Sequence, residues 1–149
     1  MNKFWAWYER HYTLNLSVAA GLFFLQLVHL YWLTTHVVTF RLWGLDLFSP
    51  PPFWETLIIF VDYTEIPALI TTSLVYINAQ RQKANFKNLL YLTFINIQFL
   101  HIFWITDEFV LETILPFYLA WFAIIIDYLE LPVIFETIKK FFKTTNFVP

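Results

Sequence analysis

Polar residues are sparse in this chain, and those it has keep helical register. From Leu14 to Val38 the sequence is mainly apolar, while Gln26, His29, Leu33 and His36 recur along one stripe. That period predicts a helix long enough to cross a bilayer. A second apolar segment, about Phe53 to Ile77, carries Asp62 and Glu65 on one face, with Thr72 and Tyr76 further along it. A third, Asn88 to Ile105, repeats the first stripe: Gln98, His101 and Trp104 answer Gln26, His29 and Trp32, and Glu108 answers His36. A fourth runs from Ile114 to Ile138 and holds Asp127 and Glu130.

The second and fourth segments share a signature. Asp62-Tyr63-Thr64-Glu65-Ile66-Pro67 returns as Asp127-Tyr128-Leu129-Glu130-Leu131-Pro132. Carboxylates three residues apart project from nearly the same helix face. Each proline removes a backbone donor one turn on, so Pro67 and Pro132 predict a kink beside the acids. Paired Q-x-x-H-x-x-W and D-Y-x-E-x-P patterns, in the same order, predict an internal duplication. Repeat 1 spans about 14–80 and repeat 2 about 86–142, within a single membrane domain covering residues 1–149.

The links between segments add direction. Arg81, Lys83 and Lys87 join segments two and three; Lys3 and Arg10 precede the first; Lys139, Lys140 and Lys143 follow the fourth. Basic residues mark cytoplasmic loops, so both termini are expected in the cytoplasm. The opposite end carries Arg41 with the acidic Asp46, Asp107, Glu108 and Glu112. Pro50-Pro51-Pro52 forms a stiff, extended lead into the second segment. The aromatic residues of 1–13 suit the membrane surface. Both hairpins start on the same side, which makes them parallel repeats about an axis along the membrane normal. The expected architecture is therefore all-α and polytopic: a four-transmembrane-helix bundle built from two tandem helical hairpins.

Composition strengthens the membrane assignment. The chain has 149 residues, of which 59% are hydrophobic and 13% charged. Soluble domains carry about a quarter charged residues. With no cysteine, disulfides and thiolate metal sites are excluded. A net charge of -2 gives nucleic acid no basic surface. Membrane lipids are the expected partners; a homodimer and a place in a larger membrane complex both fit.

Ionisable groups inside a membrane face the bundle interior and mark function. At about 1.5 Å per residue, His29 and His101 reach the same depth as Asp62 and Asp127, in one belt of the hydrocarbon core. Glu65 and Glu130 lie one turn closer to the basic end. Imidazole nitrogen and carboxylate oxygen are the usual ligands of zinc, iron and manganese. The leading expectation is a divalent metal site with His29, His101, Asp62, Asp127, Glu65 and Glu130 as ligands. Gln26, Gln98, Tyr63, Tyr128, Trp32 and Trp104 would surround them. The donors match the inventory of di-metal carboxylate bundles, without their Glu-x-x-His spacing.

Three other uses fit the same set. Buried carboxylates and histidines form proton or cation relays, which would make the chain an ion-transport protein. Polar pairs also staple membrane helices in purely structural subunits. Finally, acids, histidine, tryptophan and helix prolines in one small bundle loosely resemble the four-helix sterol isomerases and related ligand-binding membrane proteins. That resemblance implies binding of, or acid–base chemistry on, a lipophilic molecule, with Trp32, Tyr63, Trp104, Trp121 and Tyr128 lining its pocket.

Overall fold

The computed structural model describes residues 3–110 and 117–145, and all their side chains except Glu55, Ile59, Asp62, residues 104–110 and Phe117. The expected acidic end at Asp107, Glu108 and Glu112 lies outside these described side chains.

The described chain is all helical. A short α1 (Lys3–Arg10) leads into α2 (Tyr12–Trp32), which passes through a π-helical turn at Leu33–Val38 into α3 (Thr39–Trp43). Gly44 ends this run in the left-handed region, φ 68°, where glycine meets no Cβ penalty. Then come α4 (Pro52–Tyr63), α5 (Glu65–Gln82), α6 (Phe86–Val110) and α7 (Phe117–Thr145). Among the described residues, two helices, Tyr12–Trp43 and Tyr118–Thr145, are long and apolar enough to cross a membrane. The expected second span is divided at Thr64, which leaves α4 with 12 residues and α5 with 18. The expected third span, α6, is long enough but carries Asn88, Asn96, Gln98 and His101 along its length.

Both α2 and α6 pack against α5 and α7, so α2 and α6 take opposite corners of a bundle, as do α5 and α7. The described parts of α2, α5, α6 and α7 each turn one face inward at the expected period. Leu16, Ala19, Ala20, Phe23, Gln26, His29 and Leu30 are the buried residues of α2. Its outward face shows Phe24, Leu25, Val28 and Tyr31. Small Ala19, Ala20 and Ala68 let neighbouring backbones approach closely.

The two prolines act differently. Around Pro67 the helix breaks: the Thr64 backbone N–H turns to the Val61 carbonyl (2.9 Å), and its hydroxyl donates to the same oxygen at 2.6 Å. Pro67 thereby becomes the third residue of α5, where no backbone donor is needed. Pro132 instead sits inside the continuous α7. Leucine replaces threonine at the matching position, Leu129, and has no hydroxyl to compete for the backbone.

The π turn was not expected. It coincides with back-bonding threonines: Thr34, Thr35 and Thr39 donate to the carbonyls of Leu30, Tyr31 and Thr35. A wider turn shifts helix phase. His36 accordingly leaves the His29 stripe and is half-buried, with Nδ1 2.8 Å from Asp46 Oδ1. This hydrogen bond holds the Asp46 carboxyl below its ordinary range.

At the other end α1 folds back. Tyr8 is only 1% exposed, and burial pushes its phenol well above the usual range. The Arg81 guanidinium lies 4.1 Å over the Trp5 ring. Lys87 pairs with Glu136 at 3.0 Å, and Lys140 Nζ lies 4.0 Å over the Tyr76 ring. The amino-terminal helix, the α5–α6 turn and the end of α7 therefore share one basic end.

Candidate metal centre

Three of the expected ligands meet. His29 comes from α2, His101 from α6 and Asp127 from α7, so the donors arrive from three corners of the bundle. His101 Nε2 is 3.1 Å from Asp127 Oδ1, and His29 Nε2 is 3.7 Å from Asp127 Oδ2. One ligand atom from each residue lies within 4.8 Å of the other two. All three residues are buried, at 5%, 5% and 4% exposure.

These spacings suit one ion. Donors about 2.0–2.2 Å from a tetrahedral metal lie about 3.4 Å apart; the two histidines meet different oxygens of Asp127, at 3.1 and 3.7 Å, and one ligand atom from each of the three lies within 4.8 Å of the others. Two imidazoles and a carboxylate form a donor set used by zinc, and by non-haem iron with open positions. The cluster is thus consistent with a divalent metal site.

The other expected residues are placed as follows. Glu65 and Glu130 are each 3% exposed and lie outside the three-residue group. Glu65 is the first residue of α5, directly after the break. The carboxylate of Asp62 and the ring of Trp104 lie outside the described side chains. Trp32 packs between His29 of α2 and His36 of the π turn: its ring centroid is 5.9 Å from His29 and 5.4 Å from His36, the latter stacked. Tyr128 OH meets Thr34 Oγ1 at 2.6 Å, joining α7 to the π turn. Tyr63 is half-buried at the end of α4.

The two glutamines have a role that sequence reasoning missed. Gln26 Nε2 donates to the Val61 carbonyl at 3.1 Å and to Thr64 Oγ1 at 3.3 Å. Gln98 Nε2 donates to the Ile126 carbonyl at 2.7 Å. Val61 and Ile126 are the residues just before the two aspartates. Each glutamine sits one turn from its histidine, so the Q-x-x-H pair ties a histidine to the backbone that carries an aspartate. The signal was present in the repeated Gln and Asp spacing, but the acceptor is a backbone atom of another helix, which no side-chain pattern names.

A lipophilic surface adjoins the centre. A cavity of about 490 Å³ is lined by Val28, Tyr31, Trp32, Phe48, Ser49, Pro50, Pro51, Trp54 and Ile58. Trp32 is the wall shared with His29. Comparison with protein-family models, with curated proteins and with solved structures finds no match.

Proposed function

We propose that this chain is a four-span membrane protein holding one divalent metal ion, zinc, iron or manganese, at His29, His101 and Asp127. The observation that carries the reading is the burial of two imidazoles and a carboxylate with ligand atoms within 4.8 Å. Asp62, Glu65 and Glu130 are proposed as further ligands or proton acceptors around the ion.

The membrane half of the proposal is supported by an inverted surface. Buried positions hold Gln26, Glu65, Thr72, Gln98, Glu130 and Thr137, while Phe24, Phe60, Ile70, Phe99, Phe122 and Phe135 are exposed. An apolar outer surface over buried polar groups suits lipid. The tandem-hairpin organisation is supported by the two glutamine-to-carbonyl bonds at matching positions. The shared basic end supports a cytoplasmic placement of both termini.

Equilibrium binding of zinc to the purified, chelator-treated chain tests the metal. One ion per chain is expected, with protons released because the imidazoles must bind metal in their neutral form. Binding of no divalent ion would contradict the proposal.

A second reading, capture of a lipophilic molecule, is favoured by the apolar cavity that shares Trp32 with the centre. Pockets of about 300–1,000 Å³ suit small ligands. Extraction and mass spectrometry of the purified protein should then recover one bound molecule per chain, reduced severalfold in Trp32→Ala. Equal recovery from the variant would remove this reading and leave the metal site standing.

A further inference from the structure

Threonine hydroxyls in these helices usually return to their own backbone. Thr34, Thr35, Thr39, Thr71, Thr93 and Thr144 each donate to the carbonyl four residues back. Thr72 and Thr137 do not. Both are 0% exposed. Among the described residues the Thr72 hydroxyl has no hydrogen-bond partner, and the Thr137 hydroxyl meets Tyr76 OH from α5 at 3.3 Å.

These two threonines occupy matching places in the two copies. Thr72 follows Glu65 at the same distance as Thr137 follows Glu130. They lie about two helical turns from the glutamates, towards the basic end. Tyr8 OH and Asn78 Oδ1, in the same half of the bundle, are also buried without a hydrogen-bond partner among the described residues. Beyond Tyr76 stand Lys140 over its ring and the Lys87–Glu136 pair. Apolar packing alone has no use for such a series. Buried polar atoms take hydrogen-bond partners, and water is the usual one where the protein supplies none.

We propose that Thr72, Thr137 and Tyr76 line a hydrated path from the basic end of the bundle to the carboxylates of Glu65 and Glu130, admitting water and protons but not metal cations. Selection follows from the mouth, where Lys87 and Lys140 set two ammonium groups against the single carboxylate of Glu136. Coulomb repulsion acts twice as strongly on a divalent ion as on a monovalent one. A proton crosses by exchange between waters and hydroxyls, so it needs no hydrated cation to pass the lysines. The path rests on the membrane-bundle reading above and not on the metal.

The chain contains no cysteine, so single cysteines report without background. Full-length Thr72→Cys, Ile70→Cys and Val75→Cys would be reconstituted in lipid vesicles and treated with small methanethiosulfonates, which need a water-exposed thiolate. Ile70 faces outward, 52% exposed, and Val75 is 0% exposed. Thr72→Cys should react at least tenfold faster than either control. The anionic reagent should outpace the cationic one at least threefold. Thr72→Cys as slow as both controls means a dry interior and overturns the path, leaving the membrane reading intact. Ile70→Cys as fast as Thr72→Cys takes the bundle out of the bilayer, and both readings fall. Val75→Cys as fast as Thr72→Cys means general opening of the bundle and also overturns the path. A cationic reagent as fast as the anionic one removes the selection against metal ions.

Discussion

Asp127→Asn is expected to lower zinc affinity at least hundredfold, about 2.8 kcal/mol, while the helical bundle remains folded. The carboxylate is the donor common to both histidines, at 3.1 Å from His101 and 3.7 Å from His29. The amide keeps the side chain's size but loses its charge, and an amide oxygen is a far weaker partner for a divalent ion. Loss of a mere supporting group typically lowers affinity 10–100-fold, so loss of the only anion among the three ligands should exceed that range. His29→Gln and His101→Gln should each approach the same loss. Equilibrium dialysis with zinc, alongside far-ultraviolet circular dichroism, separates lost binding from lost fold. An Asp127→Asn protein that binds zinc as tightly as the parent would remove this residue from the centre.

The second large effect concerns a residue that bonds to backbone next to a ligand. Gln98→Leu should weaken zinc binding about 10–100-fold, the range for groups that orient ligands, and Gln26→Leu should weaken it less. Gln98 is fully buried, and its 2.7 Å bond anchors the Ile126 carbonyl directly before Asp127. Without it α7 can rotate, and the carboxylate loses its aim at the two imidazoles. The Val61 carbonyl held by Gln26 also accepts from the Thr64 hydroxyl at 2.6 Å, so it keeps one partner when Gln26 is removed. Each hydrogen bond of this kind contributes about 0.6–2 kcal/mol in membrane bundles, so thermal stability should fall modestly in both variants. Equal zinc affinities in the two variants would show that the bond to Ile126 does not position the site.

Much of this arrangement is legible in the residue pattern because it depends on period alone. The stripe of Gln26 and His29, its echo at Gln98 and His101, and the repeated Asp and Glu define inward faces whichever helices they meet. That period also brings His29, His101 and Asp127 to a common depth. What period cannot supply is azimuth. Whether Glu65 and Glu130 reach the same ion as Asp127 depends on how far each helix is rotated, and the structure leaves both outside the three-residue group. Local hydrogen-bond competition was equally hidden. Pro67 and Pro132 read alike in sequence, yet one hydroxyl at Thr64, absent at Leu129, separates a broken helix from a continuous one. The π turn at Leu33–Val38 arises from the same chemistry, in threonines that a hydropathy pattern treats as neutral. Tyr8, read in sequence only as one of several interfacial aromatics, is 1% exposed, a docking of α1 that only the tertiary fold decides.

X-ray absorption at the zinc edge of the zinc-loaded chain, in lipid, addresses the metal centre itself. Two imidazole rings should appear in the outer-shell scattering, with a first shell of nitrogen and oxygen at about 2.0–2.1 Å, and one ring should vanish in His101→Gln. A spectrum with no imidazole scattering, or one unchanged by that substitution, would contradict a metal held between His29, His101 and Asp127.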